Sequence, residues 1–299
     1  MLPAQSSRTI DPRRLRSFDG TEIAYHVAGA SRPGAPWIVL ANGLGGGTRM
    51  WRGLITYLGD RYRFATWDCR GLHASERPRP ERPGAYSVAS HVGDLSALLA
   101  AEGIERAHLA GWSLGVQVAI EAAGRLPGRV QSLVLCNGAW GRPLDALVPL
   151  PEVRGAILPF IELVRRTRAL GPAAHRPLGR RRAAFWLKRL GLVGEGADDA
   201  AVADLTAIVA RLDPDALLRN LRAFGEHDAQ ATLASIEVPT LVIAGDRDPI
   251  TPRELAQQMT RSIAQAELLV VRSSAHATPI EYPELVSLRV ERFYRENGL

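Results

Sequence analysis

The stretch Gly111-Trp112-Ser113-Leu114-Gly115 constrains this chain more than any other. An apolar run, Ala107-His108-Leu109-Ala110, leads into it and is short enough for a strand. An alanine-rich run, Val116 to Ala123, leaves it and reads as a helix. A serine between glycines at a sharp strand-to-helix turn has a mechanical meaning. Small residues are needed where neighbouring backbone comes close, and the hydroxyl is pushed out at the end of the sheet, beside the N-terminus of the next helix. Such a serine is a candidate nucleophile. The same pattern also arises by chance in a chain with 28 glycines, so the neighbouring segments must decide.

Those segments alternate. Asp19-Gly20 is a hairpin turn signal between residues 13–18 and 22–28, which predicts an antiparallel pair. Trp37 to Ala41 is an apolar run suited to a strand buried on both faces, and it ends in the loop Asn42-Gly43-Leu44-Gly45-Gly46-Gly47. A helix is expected from about Thr48 to Leu58, a strand over Arg63 to Trp67, and a helix capped by Ser87 through Ala101. After the central serine come a helix to about Leu126, a strand over Val130 to Leu135, strands at 239–244 and 268–271, a helix opened by Pro252 and a last helix opened by Pro283. Alternation of this kind predicts an α/β fold: eight strands, mostly parallel, with helices on both faces. Residues 139–235 break the rhythm, with helical stretches and no convincing strand. We expect a core of residues 1–138 and 236–299 and a helical insert over 139–235.

Ligands of such sheets bind beyond the carboxyl ends of the strands, and the loops 42–47, 68–75, 112–114, 137–142, 245–251 and 273–278 all fall at that end. A serine hydroxyl is a weak nucleophile unless a histidine accepts its proton and a carboxylate holds the histidine. His276, in Ser273-Ser274-Ala275-His276-Ala277-Thr278, follows the last strand on that rim. His73, in another rim loop, is its competitor, with a loop or substrate contact as its other role. Gly245-Asp246-Arg247-Asp248-Pro249 offers two carboxylates. Pro249 holds Asp248 extended past the strand end, whereas Asp246 is also suited to a turn. The order Ser, Asp, His is the one found when a nucleophile sits on a strand-to-helix elbow. An oxyanion would need donors, and the amides of Leu44 and Leu114 are placed for it.

Taken as a set, Asn42-Gly43-Leu44-Gly45-Gly46, Asp68-Cys69-Arg70-Gly71, the Ser113 pentapeptide, Gly245 to Pro249 and Ser274-Ala275-His276 give a chain that resembles the α/β-hydrolase superfamily along nearly its whole length. The resemblance implies Ser113 as nucleophile, Asp248 as acid and His276 as base. It further implies oxyanion amides from Leu44 and Leu114, a cap over about 139–235, and no cofactor. Asn42, Gly43, Trp112, His73 and Trp140 are its candidate pocket residues. Three positions depart from the family pattern: Asn42 where histidine is common, His73 where a small residue is usual, and Val116 where a glycine often follows. Carboxylic ester hydrolysis is the expected reaction. Thioester, lactone and carbon–carbon bond cleavage use the same groups, and non-catalytic receptors exist on the same fold.

Composition limits the remaining choices. Cys69 and Cys136 are too few for a disulfide framework and lack metal-ligand spacing. No segment has the ~20 apolar residues needed to cross a bilayer, and no signal peptide is evident, so a cytoplasmic protein is expected. The net charge of +6 comes from one segment: residues 151–190 carry ten basic and two acidic side chains, which leaves −2 for the rest. Arg165, Arg166, Arg168, Arg176, Arg180, Arg181, Arg182, Lys188 and Arg189 lie there among leucines and aromatics. They are a solvated helical face, a surface for anionic substrates or an acyl group on a carrier protein, or a contact for a membrane surface. A charge confined to an insert above such a rim argues against nucleic acid as partner.

Overall fold

A computed structural model of the chain describes residues 10–141, 188, 192–194, 196–200, 202 and 211–299. The strands are β1 (Asp11–Arg16), β2 (Glu22–Gly29), β3 (Trp37–Ala41), β4 (Arg63–Trp67), β5 (Ala107–Trp112), β6 (Val130–Cys136), β7 (Thr240–Gly245) and β8 (Ala266–Val271). They form one sheet in the order β1-β2-β4-β3-β5-β6-β7-β8. The β1–β2 and β2–β4 pairs are antiparallel; every pair from β4–β3 onward is parallel. The hairpin at Asp19-Gly20 forms, but β1 ends at Arg16. Ser17 is drawn into the turn, where its N–H donates to Thr21 O at 2.9 Å and its carbonyl accepts from Gly20.

Every residue of β3, β5 and β7 is buried. Both sheet faces are covered, which is why these strands read as unbroken apolar runs. Successive side chains point to opposite faces. Val39, Leu109 and Val242 enter one core with α2 (Val88–Ala101), α3 (Gly115–Arg125) and α6 (Arg253–Ser262). Leu40, Ala110 and Ile243 enter the other with α1 (Arg52–Leu58) and α8 (Pro283–Glu296). Burying a leucine such as Leu109 in this way contributes about 2 kcal/mol.

Helix ends follow their side chains. Ser87 caps α2, its hydroxyl accepting from the Ser90 N–H at 3.2 Å. Residues Thr48–Trp51 form a 3-10 turn ahead of α1, so the expected helix starts tighter than an α-helix. Pro252 has extended backbone and stands just outside α6. Between β6 and β7 the described residues include α4 (Pro214–Glu226) and α5 (Gln230–Leu233) and no strand. The arginines from Arg165 to Arg182, and Arg189, lie outside the described residues. Lys188 is described, and its ammonium donates to Asp199 at 2.6 Å and to Ala197 O at 3.0 Å.

One buried ion cluster fixes the rim beside β4. Arg70 has no exposed surface and meets both Asp94 oxygens on α2, at 2.7 and 2.8 Å, and Asp19 in the hairpin turn at 2.5 Å. A guanidinium without solvent needs this bidentate partner, because leaving it unpaired would cost several kcal/mol.

Candidate active site

The strand register brings the far-apart loops together. Ala41 on β3 lies beside Gly111 on β5, Trp112 beside Cys136 on β6, and Gly245 on β7 beside Val271 on β8. Ser113 leaves β5 at φ +55°, a left-handed conformation costly for a residue with a Cβ. Its N–H donates to Cys136 O at 3.0 Å, which holds the turn to the end of β6. At Gly115 an added Cβ would lie 2.1 Å from Ala41 O, so the first turn of α3 presses directly on the end of β3. The sharp turn at the serine therefore depends on glycine at this contact.

Ser113 Oγ lies 2.9 Å from His276 Nε2, and His276 Nδ1 lies 2.9 Å from Asp248 Oδ2. Asp248 is the carboxylate at the histidine. Asp246 stays in the turn after β7, its N–H bonded to Val271 O at 3.1 Å and its Oδ1 without a hydrogen-bond partner. Asp248 Oδ1 accepts from the N–H groups of Ile250 (2.8 Å) and Thr251 (3.0 Å). Its Oδ2 accepts from Thr251 Oγ1 (2.6 Å) and Asn137 Nδ2 (3.0 Å). Burial alone would raise this carboxyl above its usual range. Hydrogen bonds from His276 and Thr251, with the charge of the imidazole, outweigh burial and hold it below. The group is an anion facing the histidine.

The histidine's own backbone is held from several sides. Trp112 Nε1 donates to His276 O at 2.8 Å, and the two rings pack with centroids 5.6 Å apart. Asn137 Nδ2 donates to Ala275 O at 3.0 Å as well as to Asp248. Asn137 and Thr251 hold Asp248 and the histidine loop, and local sequence does not single them out. The loop after β6 marked Asn137's region, but nothing local distinguishes that side chain.

Beside Ser113 is a cavity of about 240 Å³ lined by Leu44, Trp112, Ser113, Leu114, Ala139, Leu221, Gly225, Ile250, Thr251 and His276. Leu44 and Leu114 thus flank the serine from two loops, and Trp112 forms part of the wall. The other four expected pocket residues are not among those that line this cavity. Asn42 turns into the core, where Nδ2 donates to Thr66 Oγ1 and Trp67 O, both at 2.8 Å, and Oδ1 accepts from Trp51. Gly43 packs behind the wall, and an added Cβ would come within 2.8 Å of both Trp112 and Ser113. His73 Nε2 sits 3.1 Å from Gly46 O, bracing the glycine loop. Trp140 contributes a carbonyl that accepts from Ala229 N–H at 2.8 Å.

Among the described residues no group of His, Cys, Asp and Glu is arranged to hold a metal ion, and no helix is long and apolar enough to cross a membrane.

Comparison with known proteins gives the same architecture. A protein of Agrobacterium fabrum named "Putative carbamate hydrolase RutD" is 28% identical over 276 residues, 90% of this chain and 97% of its own length. Its namesake from Pseudomonas savastanoi pv. phaseolicola is 31% identical over 253 residues, 83% of this chain and 90% of its own. The crystal structure of an enol-lactonase from Burkholderia xenovorans superposes with a TM-score of 0.73. At 24% identity, across 95% of this chain and all of that one, it is a likeness of fold. The family model for the alpha/beta hydrolase fold matches residues 36–283. The chain belongs to the alpha/beta hydrolase family.

Proposed function

We propose that the chain is a serine hydrolase that cleaves a carboxylic ester through an acyl-enzyme. The observation that carries this reading is the unbroken chain of hydrogen bonds from Ser113 Oγ through His276 to Asp248, opening on a largely apolar cavity. Ser113 Oγ attacks the ester carbonyl while His276 Nε2 takes its proton. Asp248 keeps the Nδ1–H tautomer and stabilises the imidazolium. The amides of Leu44 and Leu114 receive the oxyanion, a contribution of about 10²–10³ in rate per donor. The imidazolium returns its proton to the departing alcohol. Water, deprotonated by the same histidine, then releases the acid.

The cavity volume suits a small to medium acyl group. The relatives named for carbamate hydrolysis support a second reading, in which the same attack falls on a carbonyl bearing nitrogen. Thioesters and lactones fit the same chemistry, and an acyl group delivered by a carrier protein would draw on the basic residues of 151–190. The buried, unpaired Cys69 and Cys136 accord with a cytoplasmic setting.

Hydrolysis of p-nitrophenyl esters of two to eight carbons, beside a carbamate series, tests the proposal. Wild type turns over and is labelled by a fluorophosphonate; Ser113→Ala does neither. Absence of both turnover and labelling in the wild type sinks the enzyme reading in favour of a non-catalytic one.

A further inference from the structure

Glu281 is a buried acid outside the triad and outside the cavity lining. It closes the short helix α7 (Thr278–Glu281), and its carboxylate turns back onto the histidine loop. Oε2 accepts from Ser274 Oγ and from the Ala275 N–H, both at 2.8 Å; Oε1 accepts from the Ala277 N–H at 3.1 Å. The amides of the residues immediately before and after His276 therefore converge on one side chain. The carbonyls of the same segment are taken by other groups, Trp112 on His276 O and Asn137 on Ala275 O. Thr278 Oγ1 lies 2.7 Å from Ser274 Oγ, extending the cluster. On its outer side Gly194 comes so close that a Cβ there would lie 2.5 Å from Glu281 Oε2. The carboxylate is thus enclosed between the histidine loop and the segment around Val193.

We propose that Glu281 is a positioning residue for His276: it fixes the peptides on both sides of the histidine and so keeps Nε2 aligned with Ser113 Oγ. The inference rests on the serine hydrolase reading for its kinetic consequence, but not for its geometry. Other elements could satisfy an ordinary loop with water. This loop instead has two backbone N–H groups and a hydroxyl directed at a single buried acid, and such groups are costly to leave unmade. A small tilt of the imidazole would lengthen the 2.9 Å contact to the serine, and misplacement of about 1 Å at a reacting group costs about 10² in rate.

The test uses Glu281→Gln in the full chain. Glutamine keeps the shape but presents an NH2 where one loop donor needs an acceptor. The expected result is a kcat lowered about 10²-fold with KM within about twofold, measured well below the melting temperature. The His276 ring signals, followed by histidine NMR and assigned with His276→Ala, are displaced in folded Glu281→Gln, as a tilted imidazole requires. Wild-type kcat and unchanged His276 ring signals would overturn the proposal even if the protein melts earlier, because a merely structural carboxylate moves only the melting point. Should Glu281→Gln not fold, Ser274→Ala removes one of the three contacts and orphans no backbone group. It should lower kcat about threefold or more with unchanged KM, and unaltered kcat there equally refutes the assignment. The NMR comparison needs no turnover. If the His276 signals respond to Glu281→Gln while the wild type neither hydrolyses nor labels, the serine reading falls and the positioning role stands.

Discussion

Gly115→Ala should damage catalysis severely although it adds a single methyl group. The Cβ would lie 2.1 Å from Ala41 O, 2.6 Å from Ala41 C and 2.9 Å from Asn42 O. Carbon needs a little over 3 Å from such atoms, so α3 and the end of β3 must separate by about 1 Å. All three obstacles are backbone, and β3 is hydrogen-bonded to both β4 and β5, so no rotamer change relieves the contact. Helix propensity acts the other way, since alanine is favoured over glycine by up to about 1 kcal/mol inside a helix. Overpacking costs about 1–3 kcal/mol and wins, lowering Tm by a few degrees. The loss of rate is larger than that suggests. The displaced pieces are the turn bearing Ser113 and Leu114 and the loop bearing Leu44, all of which line the cavity. A 1 Å separation there costs about 10² in kcat. Gly47→Ala is the control from the same glycine loop: its Cβ would meet nothing nearer than His73 Nε2 at 4.0 Å, and its φ of −157° suits any residue. Ester hydrolysis and thermal melting of both variants decide the matter. If folded Gly115→Ala keeps wild-type kcat, or if Gly47→Ala loses as much, the steric argument is wrong.

Asp248→Asn should lower kcat about 10⁴-fold with the fold intact, because asparagine cannot stabilise the imidazolium; Asp246→Asn should stay within a few fold, and the reverse ranking would exchange the two roles. His108 is pushed down to about 4 by burial, with Arg106 acting in the same direction. An unfolded histidine binds a proton below about 6.5, so the native state loses relative stability as pH falls from about 6.5 to 4. At pH 5 this amounts to about 2 kcal/mol, and denaturant melts of wild type and His108→Gln at pH 7.5 and pH 5 should show a steeper loss in wild type. Cys69 is pushed up to about 12 by burial beside Asp68 and Asp94, and Cys136 is raised by burial and by Asp248. Neither should react with a thiol disulfide reagent until the protein unfolds; labelling at the rate of a free thiol under native conditions would contradict their burial.

The sheet and the elbow were legible in the sequence because their signals are local. Two-faced burial makes β3, β5 and β7 continuous apolar runs, and a serine between glycines needs only its own neighbours to mark a turn. Asp248 was legible through Pro249, which extends the backbone. The triad's supports were not, because each is a contact across many residues. Glu281 sits within reach of His276 only because α7 folds the chain back, and no periodicity announces a four-residue helix after a polar loop. Asn42 was read as a pocket residue from its place beside the glycines. Its amide turns the other way because Thr66 and Trp67 on the neighbouring strand offer two acceptors and Trp51 a donor. Strand order decides that, and sequence order does not contain it.

The same distinction explains how the cavity wall is fixed. On α4 two stripes run at four-residue spacing. Ala216, Asn220 and Phe224 are buried against the core, while Leu221 and Gly225 line the cavity. An apolar stripe alone would let the helix slide or rotate, since dispersion contacts carry little direction. Asn220 removes that freedom: its Nδ2 donates to Arg70 O at 2.9 Å and Ala216 O at 2.8 Å, so its Oδ1 is the acceptor for His91 Nε2 at 2.9 Å. Arg70 is in turn locked by Asp94 and Asp19. The position of Leu221 and Gly225 is therefore set by directional polar bonds that begin in the N-terminal hairpin. The volume of the cavity beside Ser113 is therefore set by a buried arginine outside its lining as well as by the side chains that line it.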